Sequence, residues 1–236
     1  MLHELRTYTF HPGKLPAYLK VAEEIGRPVR GNNYGMNHGY WTSEFGQLNQ
    51  IWHLWSYASY DERARLRAAL SQNERWTKEY VPAIRPLMQR QDIRLLNPIS
   101  EIKPPAQEGG VYELRIYRMY PGMAMAWATK FKSYFPIREK YSRNVGLWVS
   151  EAGQPNEALH LWNYPSLNAR AETRAPGAGQ GLASLSRGSG ADDPGHAVDH
   201  PAADILLGDE VGCSVKPASG RSGPPTRGAG PGLGAP

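Results

Sequence analysis

Polar and apolar residues alternate from the start of the chain. Leu2-His3-Glu4-Leu5-Arg6-Thr7-Tyr8-Thr9-Phe10 changes character at almost every step and carries strand formers, which predicts a strand over residues 2 to 10. Pro12-Gly13 turns the chain, and Leu15, Tyr18, Leu19, Ala22 and Ile25 then recur at helical spacing. Tyr- and Trp-rich stretches at 34 to 43 and 48 to 57 predict two strands, joined in a hairpin through Gly46. Ser59 opens the next helix, with Glu62 three positions on as in a capping box. Asn73 opens a shorter helix around Trp76 and Tyr80, and residues 90 to 97 predict a last strand. The order β-α-β-β-α-β is a split βαβ, or ferredoxin-like, pattern.

After a Pro- and Gly-bearing linker at 98 to 110 the pattern restarts. Tyr112-Glu113-Leu114-Arg115-Ile116-Tyr117, then Pro121-Gly122, repeats His3-Glu4-Leu5-Arg6-Thr7-Tyr8, then Pro12-Gly13. Glu44, Gly46, Gln47, Asn49, His53-Leu54-Trp55 and Tyr57 return as Glu151, Gly153, Gln154, Asn156, His160-Leu161-Trp162 and Tyr164. A strand is predicted near 111 to 119, a helix near 122 to 142, strands near 145 to 152 and 157 to 164, and a helix from Ser166. A sheet of this kind carries helices on one face, so its other face needs a cover. A tandem copy supplies one. The expected fold is therefore α+β: two ferredoxin-like modules, 2–97 and 111–174, closing face to face into a barrel-like sandwich.

The second module reads as incomplete. The constant offset holds through Arg67 and Arg174 and then fails: Trp76 predicts a tryptophan near 183, where the chain has Ala183. From 175 to 236 Gly and Pro make up about a third of the residues, with no Phe, Trp or Tyr, which predicts a disordered tail. Codons permitted for Gln180 through Ala203 can be chosen so that the neighbouring reading frame encodes an amphipathic helix and strand with a tryptophan at the expected place. The expectation is a frameshift between Arg174 and Gln180.

Composition narrows the function classes. No apolar run is long enough to span a bilayer. The first strand begins with no leader-like segment before it, so a cytoplasmic setting is expected. Cys213 is the only cysteine, which excludes an intramolecular disulfide. The net charge of +5 is modest. Arg63, Arg65 and Arg67 beside Asp61 and Glu62 read as a solvated helix face, and the aromatics sit in strands, so no nucleic-acid partner is expected.

The repeated E-L-R-x-Y opening, the P-G after it and the H-L-W-x-Y strand resemble the NIPSNAP family over about residues 2 to 174. The resemblance implies a dimeric α+β barrel built from ferredoxin-like halves, with relatives in mitochondria and bacteria. It brings no defined molecular activity with it. The tail departs from the family, whose second module ends in an aromatic helix and an aliphatic strand. Small monooxygenases and haem-degrading enzymes share the fold, which is an analogy of scaffold only.

Strand parity places Glu4, Arg6 and Tyr8 on one face, with His53, Trp55 and Tyr57 also sharing one; Arg115, Tyr117, His160, Trp162 and Tyr164 repeat the set. If those faces look away from the helices, they line the space between the two sheets. There an Arg, a His and two Tyr form a pocket for a small organic acid or an aromatic ligand. Alternatively the same residues are structural networks, which repetition in both modules favours. A lone His per module gives no metal or haem site, and His38 near a turn reads as exposed. No catalytic elbow, phosphate loop or dinucleotide pattern occurs, so no cofactor is expected. Two functions follow: binding of a small ligand or protein partner, or homo-oligomer formation, without catalysis; and a small cofactor-independent enzyme of oxygenase or isomerase type.

Overall fold

The computed structural model describes residues 1–104, 110–175 and 198–209, the last stretch as backbone. The first module runs β1 (Leu2–Phe10), α1 (Leu15–Val21), a π turn (Ala22–Gly26), α2 (Arg27–Arg30), β2 (Met36–Phe45), β3 (Gln50–Tyr57), α3 (Tyr60–Ser71), a π turn (Trp76–Tyr80), α4 (Val81–Ile84), a 3-10 turn and β4 (Met88–Pro98). The second runs β5 (Val111–Met119), α5 (Ala124–Ser133), α6 (Phe135–Arg138), β6 (Arg143–Ala152), β7 (Glu157–Tyr164), α7 (Leu167–Arg174) and β8 (Val198–Asp209).

Local chemistry sets these boundaries. The Ser59 hydroxyl accepts from the Glu62 amide at 3.1 Å, and Glu62 reaches back to the Ala58 amide, closing the first turn of α3. Ser166 caps α7 in the same way. The Asn73 side chain accepts from the Trp76 amide at 3.0 Å. The repeated hairpins place Asn49 and Asn156 at φ 55° and 58°, a left-handed conformation that asparagine tolerates better than most residues. That explains why asparagine recurs after Gly46 and Gly153.

The eight strands form a closed barrel in the order β1-β3-β2-β8-β5-β7-β6-β4. Every neighbouring pair is antiparallel. Each module contributes a sheet of the same order, β4-β1-β3-β2 and β8-β5-β7-β6. The sheets join edge to edge: β4 pairs with β6, as in Pro98 opposite Trp148, and β2 pairs with β8, as in Trp41 opposite Asp209. The linker strengthens the first seam, with Ile99 and Lys103 amides donating to Leu147 and Val145 carbonyls at 2.8 and 2.9 Å.

The expectation of a disordered tail from 175 is corrected at Val198–Asp209, which is β8 and supplies the last strand of the second sheet. Backbone hydrogen bonding explains this. Without β8, the edges of β5 and β2 would both present unpaired amides and carbonyls. An extended segment of almost any composition satisfies them, and Ala202 through Leu207 offers one without Gly or Pro. The expected frameshift and the rest of the tail fall on 176–197 and 210–236, outside the described residues.

The middle of the barrel is packed, and a cavity of about 560 Å³ opens at one end of it, lined by Thr7, Thr9, Gln50, Trp52, Ile116 and Arg118. Leu5, Trp41, Trp52, Leu54 and Leu96 of the first module meet Tyr112, Leu114, Ile116, Trp148 and Leu161 of the second. Outside the barrel each sheet has its own helical layer. Tyr8, Phe10 and Ile51 pack under Tyr18, Tyr80 and Ile84, while Trp162 and Tyr164 pack with Trp127 and Phe135.

Candidate functional site

The parity that groups Glu4, Arg6 and Tyr8 is observed, but their face looks toward the helices. Adjacent β1 residues alternate between layers: Leu5 enters the barrel core and Tyr8 the helical layer. On β3, Trp52 and Leu54 point inward, whereas Ile51 joins the helical layer. The expected pocket between the sheets is therefore corrected. Apolar side chains fill the middle of the interior, and Glu4, Arg6 and Tyr8 lie under the helices, where α3 brings Arg63 to Glu4. For the same reason the two repeated sets are not brought together: each lies under its own module's helices.

In the first module the set is a continuous network. Glu4 accepts from Arg6 Nη1 at 2.7 Å through one oxygen and from Arg63 through the other. Burial opposes ionisation of Glu4, yet Arg6 and Arg63 hold its carboxyl below the usual range. Arg6 Nε donates to the Tyr8 hydroxyl at 2.9 Å. Arg30 Nη2 donates to the Tyr57 hydroxyl at 3.1 Å, and its guanidinium lies 3.4 Å from the centre of the Trp55 ring.

His53 serves this network as an acceptor. Trp55 Nε1 donates to His53 Nδ1 at 2.6 Å, and in the second module Trp162 donates to His160 in the same way. An imidazole accepting through Nδ1 is neutral and carries its proton on Nε2. Burial, then the positive charges of Arg6 and Arg30, pushes His53 well below its ordinary value; burial, then Arg115, acts on His160. The repeated H-x-W is thus a device for satisfying a buried indole N–H between residues two apart on one strand face.

The second module repeats the framework with different pairing. Arg138 donates to the Tyr164 hydroxyl at 3.1 Å and lies over Trp162, as Arg30 does over Trp55. Glu113, fully buried, accepts from Arg170 and Arg174 through one oxygen and from the Tyr164 hydroxyl through the other. Arg115 lies beside Tyr117 on the same strand.

A cavity of about 260 Å³ opens in the first module between β1 and β4 on one side and α3 and α4 on the other. Arg6, Tyr8, Arg30 and Arg67 form its polar wall; Leu70, Trp76, Val81, Ile84 and Met88 form its apolar wall. Ser71, Arg85 and Gln91 are exposed at its mouth. Burial pushes the Tyr80 hydroxyl, also in the lining, up to about 12. Of the residues read from sequence, Arg6 and Tyr8 line this cavity, whereas His53, Trp55 and Tyr57 lie beneath it.

Sequence reading missed Arg30, Arg63 and Arg67. The expectation of a solvated arginine face on α3 is corrected: Arg65 is exposed, but Arg63 and Arg67 are partly buried on the stripe that ends in buried Leu70. The helical spacing of 63, 67 and 70 carried that signal, as did Arg170 and Arg174, which stand 107 residues after Arg63 and Arg67. His38 is corrected as well. It lies half-buried on β2, with Nε2 2.8 Å from the Ser56 hydroxyl, because β2 continues through a bulge at Asn37–Gly39 where a turn was expected. Among the described residues no group of three or more His, Cys, Asp or Glu side chains is placed to hold a metal ion. No helix among them is long and apolar enough to cross a membrane.

Comparison with known proteins gives two kinds of likeness. Solved structures similar over most of the chain include a putative monooxygenase from Fusobacterium nucleatum, at TM-score 0.62 and 10% identity over 89% of this chain and 92% of that one. An anthrone oxidase-like protein has TM-score 0.60 and 11% identity over 89% and 91%. At such identities the likeness is one of fold, the α+β barrel. In sequence, human NipSnap homolog 3B is 30% identical over 178 residues, 73% of this chain and 70% of its own length. The Dictyostelium discoideum NipSnap homolog is 30% identical over 180 residues, covering 73% and 74%. The NIPSNAP family model matches residues 3–101 and 112–180, one match per module. The twice-repeated motifs, the paired ferredoxin-like sheets and these matches agree: the chain belongs to the NIPSNAP family.

Proposed function

We propose that this protein binds a small, metabolite-sized organic molecule in the cavity of its first module, beneath α3 and α4, and that the second module serves mainly to close the barrel. The observation that carries the reading is the cavity itself: about 260 Å³ with one polar and one apolar wall, which suits a ligand with a polar head and a short apolar body. The middle of the barrel is filled by side chains from both modules, and the cavity at its end, whose lining is mostly polar and charged, is not the binding space on this reading. Closure of the barrel needs no second copy of the chain, since both sheets come from one polypeptide.

The enzyme reading draws less support. His53, the buried histidine of this module's network, is committed to Trp55 and does not line the cavity. The test is native mass spectrometry of the full chain against a metabolite mixture, with Ser71→Trp as comparison. Ser71 is exposed at the mouth, so a bulky side chain there obstructs entry without disturbing the core. The expected result is a small-molecule adduct on the parent protein that is lost in the variant. Identical adduct patterns in both, or no adduct on either, would reject the reading.

A further inference from the structure

The charges around the cavity do not balance. Four guanidinium groups, those of Arg6, Arg30, Arg67 and, at the mouth, Arg85, line the cavity, and among the described residues no Asp or Glu does; the one buried carboxylate beside it is Glu4. Both Glu4 oxygens are engaged, one by Arg6 and one by Arg63. Arg30 is only 4% exposed, and its Nε has no hydrogen-bond partner. Arg67, partly buried in the lining, makes no hydrogen bond or ion pair among the described residues. Burial, then the charge of Arg6, lowers the Arg67 pKa and outweighs the opposite pull of Glu4.

The second module is the internal control. Arg174 is the counterpart of Arg67, and Arg174 Nη1 sits 2.8 Å from Glu113. Arg170, the counterpart of Arg63, reaches the same carboxylate oxygen. The arginine at this helical position therefore reaches the module's buried carboxylate in the second module, whereas in the first it faces the cavity. Holding cations out of water without a partner is costly, so an anion from outside is the natural completion of the first site.

Resting on the cavity reading above, we infer that the ligand is a small organic carboxylate, its carboxylate held by Arg67 and Arg30 and its apolar body laid against Trp76, Val81, Ile84 and Met88. A guanidinium offers a planar fork of donors that matches a carboxylate. The apolar wall, and a volume several times that of one water, favour an organic acid over a bare inorganic oxyanion.

The experiment is titration calorimetry on the full chain with hexanoate, benzoate, the matching amides hexanamide and benzamide, and inorganic phosphate. At least one acid is expected to bind about tenfold or more tightly than its amide, which equals about 1.4 kcal/mol. Arg67→Ala should lose that binding, Arg67→Lys should retain part of it, and Arg65→Ala on the outer face should leave it unchanged. Unfolding midpoints of each variant confirm that the fold is kept. Acid and amide binding equally, Arg67→Ala binding as the parent does, phosphate outcompeting both acids, or no probe binding would each overturn the inference. Ser71→Trp separates the two readings. If acid and amide bind the parent protein equally and Ser71→Trp blocks both, the cavity site stands and only the carboxylate assignment falls. If it leaves acid binding intact, the cavity reading itself fails.

Discussion

Trp148 Nε1 donates to His3 Nδ1 at 2.7 Å, a buried bond that ties β6 of one module to β1 of the other across 145 residues of sequence. It requires a neutral His3. Burial, then the nearby His38, lowers His3 to about 4, and burial lowers His38 to about 4 as well. A histidine whose folded value lies below its unfolded value of about 6.5 takes up its proton first in the unfolded chain. Stability is thus fully present above about pH 6.5 and is lost as pH falls from there toward 4. Urea midpoints measured at pH 7, 6, 5 and 4 should decline across that window. In His3→Asn, which keeps an acceptor near the indole, the decline should be shallower; an unchanged slope would count against His3 as a source.

Glu113 neutralises two arginines and anchors Tyr164, all from a fully buried position. Glu113→Gln leaves Arg170 and Arg174 without their counter-charge and should cost about 3–5 kcal/mol. Glu4→Gln should also destabilise the protein, because Arg6 and Arg63 lose their partner in the same way. Denaturant unfolding of both variants tests this, and a loss under 1 kcal/mol at Glu113 would contradict it.

A Cβ at Gly39 would lie 2.3 Å from the Trp41 ring, and one at Gly146 would lie 2.3 Å from the Trp148 ring. Each strand bulges at this point, and the indole folds back over the glycine. Both rings lie in the barrel core and cannot yield cheaply. Gly39→Ala and Gly146→Ala should each cost about 1–3 kcal/mol, read as a lowered urea midpoint.

Ending the chain after residue 197 removes β8 and exposes the facing edges of β2 and β5. The expected product is less stable and self-associates through those edges. Size-exclusion chromatography against the full chain checks it; a monomer of parental stability would show that β8 contributes nothing to closure.

Much of this was legible in the sequence because the duplication compares each element with itself. Leu2–Phe10, Val111–Met119 and Glu157–Tyr164 appear as strands where alternation put them, and the caps at Ser59 and Ser166 fall where the capping pattern did. What parity could not decide was which face was which. Glu4, Arg6 and Tyr8 share a side by geometry alone, but whether that side meets helices or a second sheet depends on how two sheets close. Arg67 was misread for a related reason: a charged residue on a helix normally faces water, and only the site beneath α3 turns it inward. β8 was hidden because an edge-filling strand is recruited for its backbone, which composition does not report.

The seam between Trp41 and Asp209 has a consequence for synthesis. When Pro98 leaves the ribosome, the first sheet has all four of its strands, but the partners of its two outer ones do not yet exist. Roughly 110 more residues must be made before β8 appears, about 5–20 s at about 5–20 residues per second. During that interval a surface bearing Trp41, Trp52 and Leu54 stands open to the cytosol of any host that expresses the gene. Yield in such a host should therefore depend on chaperones that shelter nascent chains, more than the stability of the finished barrel would suggest.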